Sequence, residues 1–138
     1  MTVSQIFQRE VDLVDPNESA WAAADRMYRR SVGSLIVLDT LKQPIGIVTE
    51  RDLVVKVLAL EKSPRMTRVR DIMTTPVQVV PQTLPIAELL SFFRSCRFSR
   101  LPVVDQQGRL VGAVTLDAAL EWMDGGLGPR TETDDATA

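Results

Sequence analysis

The chain has 138 residues, of which 45% are hydrophobic and 25% are charged, and its formal net charge is −2. This composition is typical of a globular protein with one domain or two very small ones, and it argues against nucleic-acid binding through bulk positive charge. Because the sequence has no histidine and one cysteine, it excludes histidine-based catalytic triads, histidine-ligated metal sites and a disulfide within the chain.

Neither a membrane span nor a secretion signal is predicted. No apolar run approaches the roughly 20 residues that cross a bilayer. The N-terminal residues lack the basic start and the apolar stretch of a signal peptide. We therefore expect a cytoplasmic protein that has neither a membrane nor a nucleic acid as its partner.

The sequence repeats itself at an offset of 66 residues. Residues 3–57 align with residues 69–123 without a gap, and ten of these 55 pairs are identical. The identical pairs are Val3/Val69, Ile6/Ile72, Val11/Val77, Val14/Val80, Leu35/Leu101, Val37/Val103, Asp39/Asp105, Gly46/Gly112, Val48/Val114 and Thr49/Thr115. The identities fall where apolar residues or special backbone are needed, so duplication of one structural unit explains them.

The first copy begins with a predicted strand at Val11–Val14, after which Asn17 is predicted to cap a helix. The apolar residues of that helix recur every three to four positions: Ala20, Ala23, Ala24 and Met27. Two apolar segments, Ser34–Leu38 and Ile45–Val48, then predict a hairpin. Thr49 opens a second helix, whose apolar stripe contains Leu53, Val54, Val57 and Leu58.

The second copy predicts the same order of elements. Its predicted strands are Val77–Val80, Arg100–Val104 and Val111–Val114, with a helix capped by Thr83 and another opened by Thr115. About 55 residues bury little surface alone. We therefore predict an α/β (α+β) fold, in which two β-α-β-β-α units pack sheet to sheet about a pseudo-twofold axis.

The predicted boundaries place repeat 1 at residues 1–60, a linker at 61–68, repeat 2 at 69–124 and a disordered tail at 125–138. The tail has almost no apolar residues, so it cannot contribute to a core.

Several segments carry a resemblance to a known family. They are Gly46–Leu53 in the first copy, and Ile72–Val77, Leu101–Asp105 and Gly108–Thr115 in the second. In this order and spacing they resemble a tandem pair of cystathionine-β-synthase (CBS) domains, also called a Bateman module. The resemblance covers residues 3–123. It implies two clefts related by the pseudo-twofold axis that bind adenosine-containing molecules: AMP, ADP, ATP or S-adenosylmethionine.

The resemblance implies that the first cleft is the better site. The pattern Gly-x-x-Thr-x-x-Asp is intact at Gly46, Thr49 and Asp52. Asp52 would accept hydrogen bonds from the ribose hydroxyls, with Thr49 beside it. The expected apolar walls are Ile47, Pro76, Val77 and Pro102, and Arg100 is the candidate phosphate contact. The alternatives are that Asp52 is an ordinary acid in the first turn of a helix and that Thr49 is an ordinary cap.

The second cleft departs from the family pattern, because Ala118 stands where the aspartate is expected. Asp117 is one residue early, and one residue rotates a helical side chain by about 100°. The residues expected at this weaker cleft are Thr115, Val11, Ile36 and Arg51. Asp117 is expected to face the phosphate end of the first cleft, which would disfavour ATP relative to less charged ligands.

Two functions remain open at the level of sequence. The first is a regulatory module that senses an adenosine-containing metabolite, forms a homodimer and signals to an unknown effector protein. The alternative is a ligand-free dimerisation or interaction module. An enzyme is not expected, since the sequence shows no nucleophile with an adjacent base and no Gly-rich phosphate loop. We expect no required cofactor and no metal site.

Overall fold

A computed structural model describes residues 1–96 and 98–125, and each repeat forms one three-stranded sheet with its helices. The first repeat contains a 3₁₀ turn at Val3–Gln5, β1 (Leu13–Val14), α1 (Ala20–Arg30), β2 (Ser34–Leu38), β3 (Pro44–Thr49), α2 (Glu50–Leu53) and a π-helical segment at Val54–Leu58. The second contains α3 (Val69–Ile72), β4 (Val80–Pro81), α4 (Ile86–Arg94), β5 (Arg100–Val104), β6 (Leu110–Thr115) and α5 (Leu116–Asp124). The predicted β-α-β-β-α order is confirmed.

The predicted disordered tail lies outside the described residues, except for Gly125, which follows the last turn of α5. Among the residues that are described, no helix is both long and apolar enough to cross a membrane.

The two sheets have the same topology. In each, the first strand runs parallel to the second, and the second pairs antiparallel with the third. Side chains alternate between the faces of a strand. Leu35 and Val37 of β2 therefore pack in the core beneath the helices, whereas Ile36 and its partner Ile47 are buried on the opposite face. That opposite face is the one that meets the other repeat.

The predicted caps of the first helix in each repeat are wrong by two residues. Ser19 caps α1, and its Oγ accepts a hydrogen bond from the Ala22 backbone N–H at 3.0 Å. In the second repeat α4 begins after Pro85 rather than Thr83. Hydrophobic periodicity locates a helix but does not resolve which side chain caps it, so errors of this size are expected.

Each repeat completes the core of the other. Val69 and Ile72 of α3 are fully buried in the core beneath the first sheet. Val3 of the N-terminal 3₁₀ turn is fully buried in the core beneath the second sheet. The repeats therefore exchange equivalent segments, and the apolar face of neither sheet is fully covered by its own repeat.

Backbone pairing shows the same exchange. An antiparallel bridge joins Gln8 of the first repeat to Ala113 of the second, and another joins Thr74 of the second to Ile47 of the first. Gln8 and Thr74 are equivalent positions of the two repeats, and so are Ile47 and Ala113, because each pair is separated by 66 residues. A reciprocal pair of this kind is what a twofold axis generates, so the predicted pseudo-twofold packing is confirmed.

The segment predicted as a linker contacts the first turn of α1. The Ala20 N–H donates to the Thr67 carbonyl at 2.7 Å, and the Trp21 N–H donates to the Pro64 carbonyl at 3.0 Å. These carbonyls satisfy N–H groups that the start of a helix leaves without an intrahelical partner. The Arg65 guanidinium lies over the Trp21 ring, 4.1 Å from its centroid.

An ion pair ties α1 to the chain just before it. Arg26 donates to both carboxylate oxygens of Glu18, at 2.6 and 3.0 Å, and to the Leu13 carbonyl at 2.7 Å. These hydrogen bonds hold the pKa of the Glu18 carboxyl below its usual value and raise the pKa of Arg26. The contact therefore holds β1 beside α1 on the edge of the first sheet.

Candidate functional site

A cavity of about 410 Å³ lies between the two repeats. Three of its lining residues, Val32, Gly33 and Ser34, have their sequence equivalents in Phe98, Ser99 and Arg100, which also line it. The cavity therefore spans the pseudo-twofold axis. It extends toward the first repeat, where the remaining lining residues are Ser31, Ile36, Ile47 and Thr49.

A second cavity, of about 390 Å³, adjoins the first. Its lining residues are Thr49, Arg51, Asp52, Val55, Lys56, Thr74 and Phe98. Thr49 and Phe98 line both cavities, so the two form one cleft, which we call the Asp52 cleft. One end of this cleft is walled by the apolar side chains Ile36 and Ile47, and the other end is rich in charge.

The turn from β3 into α2 positions Thr49 and Asp52. The Thr49 Oγ1 accepts from the Asp52 N–H at 3.2 Å, and the Thr49 N–H donates to Asp52 Oδ2 at 2.9 Å. This reciprocal arrangement is a capping box with aspartate in the third position. It fixes the carboxylate at the cleft wall, where Asp52 is 5% exposed.

Lys56 and Thr74 meet the other oxygen of the same carboxylate. Lys56 Nζ lies 2.9 Å from Asp52 Oδ1, and the Thr74 Oγ1 donates to that oxygen at 3.4 Å. Lys56 also donates to the Ile72 carbonyl at 2.9 Å. Thr74 and Ile72 belong to the segment that crosses from the second repeat, so the exchange between repeats builds this end of the cleft.

Four residues predicted for the first cleft, Asp52, Thr49, Ile47 and Arg100, line the Asp52 cleft together. The three other predicted residues are not among its lining residues. Pro76 is exposed, Val77 is half-buried and Pro102 is buried in β5.

Two residues predicted for the second cleft lie in the Asp52 cleft instead. Ile36 pairs directly with Ile47 across the β2–β3 hairpin, so both side chains face the same cavity. Arg51 lines the cavity beside Asp52, its neighbour in the first turn of α2. Asp117 was expected at the phosphate end of this cleft, but it is not among the lining residues, and so this cleft lacks the acidic group that was predicted to repel phosphates.

Sequence reasoning missed Lys56, Thr74 and Phe98. Lys56 carries a signal that could have found it, because it lies four residues after Asp52 on a helix and an acid–base pair at this spacing interacts. Phe98 and Thr74 carry no such local signal, since they reach the cleft from the second repeat.

The model of the CBS domain family matches residues 3–59 and, separately, residues 69–125. The chain belongs to the CBS domain family. Proteins built from a CBS pair are regulatory ligand-binding modules. The two matched segments correspond to the two halves of the pseudo-twofold arrangement.

Several proteins resemble the chain over most of its length. A protein of Methanopyrus kandleri is 36% identical over 121 residues, which cover 88% of this chain and 62% of that protein. A CBS-domain protein from Burkholderia ambifaria has a similar structure, with a TM-score of 0.78, 30% identity, and coverage of 96% of this chain and 100% of that one. CBSX2 is a CBS-pair protein of Arabidopsis thaliana whose structure has been solved in complex with AMP. That structure has a TM-score of 0.75 and 25% identity, and the match covers 88% of this chain and 95% of that one.

The second CBS repeat carries different chemistry at the equivalent positions. Thr115 caps α5 by accepting from the Ala118 N–H at 3.1 Å, but Ala118 has no carboxylate. The residues that replace Arg51, Val55 and Lys56 are Asp117, Glu121 and Trp122. Thr115 and Val11 are half-buried and line neither cavity of the Asp52 cleft.

Proposed function

We propose that this CBS pair is a regulatory binding module that takes up an adenosine-containing metabolite, such as AMP, ADP, ATP or S-adenosylmethionine, in the Asp52 cleft. The observation that carries the proposal is a buried carboxylate, Asp52, placed by a capping box at the wall of a cleft between the repeats. The complex of CBSX2 with AMP supports it. Occupancy of the cleft would then be passed to an effector protein.

The chemistry of the cleft suits an adenosine. A carboxylate accepts hydrogen bonds from two neighbouring hydroxyls, as a ribose offers. Ile36 and Ile47 provide apolar walls for a base, and the Phe98 ring lies where the two cavities meet. Arg100 lines the larger cavity and can pair with an anion.

The Asp52→Ala variant is expected to bind its adenosine ligand about 10- to 100-fold more weakly than the wild type. Hydrogen bonds to a charged group are worth roughly 1.5–3 kcal/mol, and each 1.4 kcal/mol is about tenfold in affinity. The measurement is isothermal titration calorimetry with AMP, ADP, ATP and S-adenosylmethionine, together with a melting curve to confirm that the variant is folded.

Asp117→Ala is the matched control, since Asp117 is the acid nearest the equivalent position of the second repeat and lies outside the cleft. It is expected to bind as the wild type does. Failure of the wild type to bind any of the four ligands would contradict the proposal, as would unchanged binding by Asp52→Ala.

Exposed apolar side chains on the helices of the first repeat favour a second role in self-association, as a homodimer. Tyr28 and Val54 are 84% and 53% exposed, and both line a cavity of about 530 Å³ between α1 and α2. Leu58, in the next turn, is 71% exposed. A second copy of this chain that packed on these helices would remove this apolar surface from water, which is favourable.

The Tyr28→Glu substitution is expected to shift the protein from dimer to monomer, because it would bury a charge in the interface. Light scattering coupled to size-exclusion chromatography measures the change in mass. Leu41→Glu is the control, since Leu41 is 67% exposed but lies in the β2–β3 turn, away from these helices. A monomeric wild type would rule the dimer out, and so would an equal effect of Leu41→Glu.

A further inference from the structure

The Asp52 carboxylate is fully engaged before any ligand arrives. Its Oδ2 accepts from the N–H and the Oγ1 of Thr49, at 2.9 and 3.1 Å. Its Oδ1 accepts from Lys56 and from Thr74, at 2.9 and 3.4 Å. A carboxylate has about four lone-pair positions, so all of them are in use. A ribose can reach Asp52 only if at least one of these contacts is released.

The long contact from Thr74, at 3.4 Å, can free one acceptor position, and a ribose that donates two hydroxyls needs a second, which Lys56 is best able to give up. The Thr49 contacts are part of the cap that starts α2, so their loss would unravel the helix start. The lysine side chain is 41% exposed, and its flexible four-carbon stem lets the ammonium move. Its departure would leave the buried Asp52 carboxylate without its counter-charge, which is costly unless the ligand offers compensation.

The charges along the cleft indicate what that compensation is. Of the described residues that line it, Arg51, Lys56 and Arg100 are cationic, and Asp52 is the only acid. When Lys56 leaves Asp52, it needs an anionic partner. A phosphate group supplies one, whereas uncharged adenosine does not; S-adenosylmethionine has one carboxylate, but its sulfonium and ammonium give it a net positive charge.

On the basis of the proposed function, we infer that Lys56 determines the specificity of the Asp52 cleft for adenosine phosphates. Lys56 releases Asp52 to the ribose hydroxyls and pairs with a ligand phosphate in the cavity that it lines with Arg51. Adenosine must break the same ion pair without replacing it. It is therefore expected to bind more weakly than AMP to the wild type.

Lys56→Met is expected to reduce this preference in two ways, by weakening the binding of AMP and by strengthening the binding of adenosine. Without the ammonium, AMP loses a charge-assisted contact and binds about tenfold more weakly. Adenosine no longer has to displace a cation from Oδ1, so its affinity rises. The ratio of AMP affinity to adenosine affinity, measured by calorimetry, should fall by about 10- to 100-fold. Lys56→Gln, which keeps a polar end, should show the same fall if Lys56→Met folds poorly.

Lys62→Met is the matched control. Lys62 is exposed, lines neither cavity, and should leave the affinity ratio unchanged. Raising the salt concentration should weaken AMP binding to the wild type more than AMP binding to Lys56→Met, since salt screens the pairing of the phosphate with the ammonium.

The outcomes separate the two proposals. If the ratio is the same in the wild type and both Lys56 variants, while Asp52→Ala still weakens binding, the role of Lys56 is wrong and the adenosine site stands. If Asp52→Ala binds every ligand as the wild type does, or if the wild type binds neither AMP nor adenosine, both proposals fail.

Discussion

The Ile72→Ala substitution should lower the free energy of unfolding by about 2–5 kcal/mol, the range for truncation of a buried isoleucine. Ile72 is 1% exposed and lies in the core beneath the first sheet, although its position in the chain is in the second repeat. The loss of stability therefore has two contributions: the burial of apolar groups that is no longer gained, and the cost of a cavity left between the repeats. Urea denaturation followed by circular dichroism measures it.

The destabilisation caused by Ile72→Ala should be greater in the first repeat than in the second. Native-state hydrogen exchange is expected to show a larger loss of protection in β2 and β3 than in β5 and β6. Two control variants are compared with Ile72→Ala. Ile72→Val should lower the free energy of unfolding by about 0.5–1.5 kcal/mol. Met66 is 84% exposed, so Met66→Ala should change it by no more than about 0.5 kcal/mol. A cost for Ile72→Ala no larger than that of Met66→Ala would contradict the exchange of segments.

The second large effect is expected for Gly112→Ala, which should destabilise the protein by about 1–3 kcal/mol or more. A Cβ atom at Gly112 would overlap the carbonyl oxygen of Gln8 and the ring of Phe7. Both residues lie near the N-terminus of the first repeat, where Gln8 pairs with β6. Because the first obstacle is backbone, it cannot move aside without breaking the bridge between Gln8 and Ala113. The midpoint and slope of urea unfolding measure the change.

The equivalent substitution in the first repeat, Gly46→Ala, is the matched comparison and should cost less. Its new Cβ would lie 2.7 Å from the Met73 Sδ and 3.1 Å from the Thr74 carbonyl oxygen. The thioether is the flexible end of a side chain and can shift, whereas the Gln8 carbonyl cannot. Equal costs at the two glycines, or a larger cost at Gly46, would show that this crowding argument is wrong.

Much of each repeat was predictable because its signals are local. The continuous apolar run of Leu35, Ile36 and Val37 predicts a strand, and the Gly-x-x-Thr-x-x-Asp pattern predicts the turn at Thr49. The helix starts were less predictable: two competing side chains, Asn17 and Ser19, both suit a cap, and the hydrogen bond to Ala22 selects Ser19.

The composition of the site was only partly predictable. Asp52 and Thr49 were found through the resemblance to the CBS family, whose Gly-x-x-Thr-x-x-Asp pattern lies within one short segment of the sequence. The Thr74 hydroxyl reaches Asp52 across 22 residues of sequence, and Phe98 comes from the second repeat. Ile36 was expected in the second cleft, but it lines the Asp52 cleft, because its face depends on its partner in the hairpin, Ile47.

The sequence by itself determined the doubled β-α-β-β-α plan, the position of the turn that carries Asp52, and the unequal chemistry of its counterpart Ala118. These depend on periodicity, on spacing and on which residue types the two copies share. Only the tertiary structure decided that α3 completes the core of the first repeat and that the Thr74 hydroxyl reaches the Asp52 carboxylate. The physical reason is that packing across a pseudo-twofold axis brings together residues of different repeats, and no local pattern records that contact.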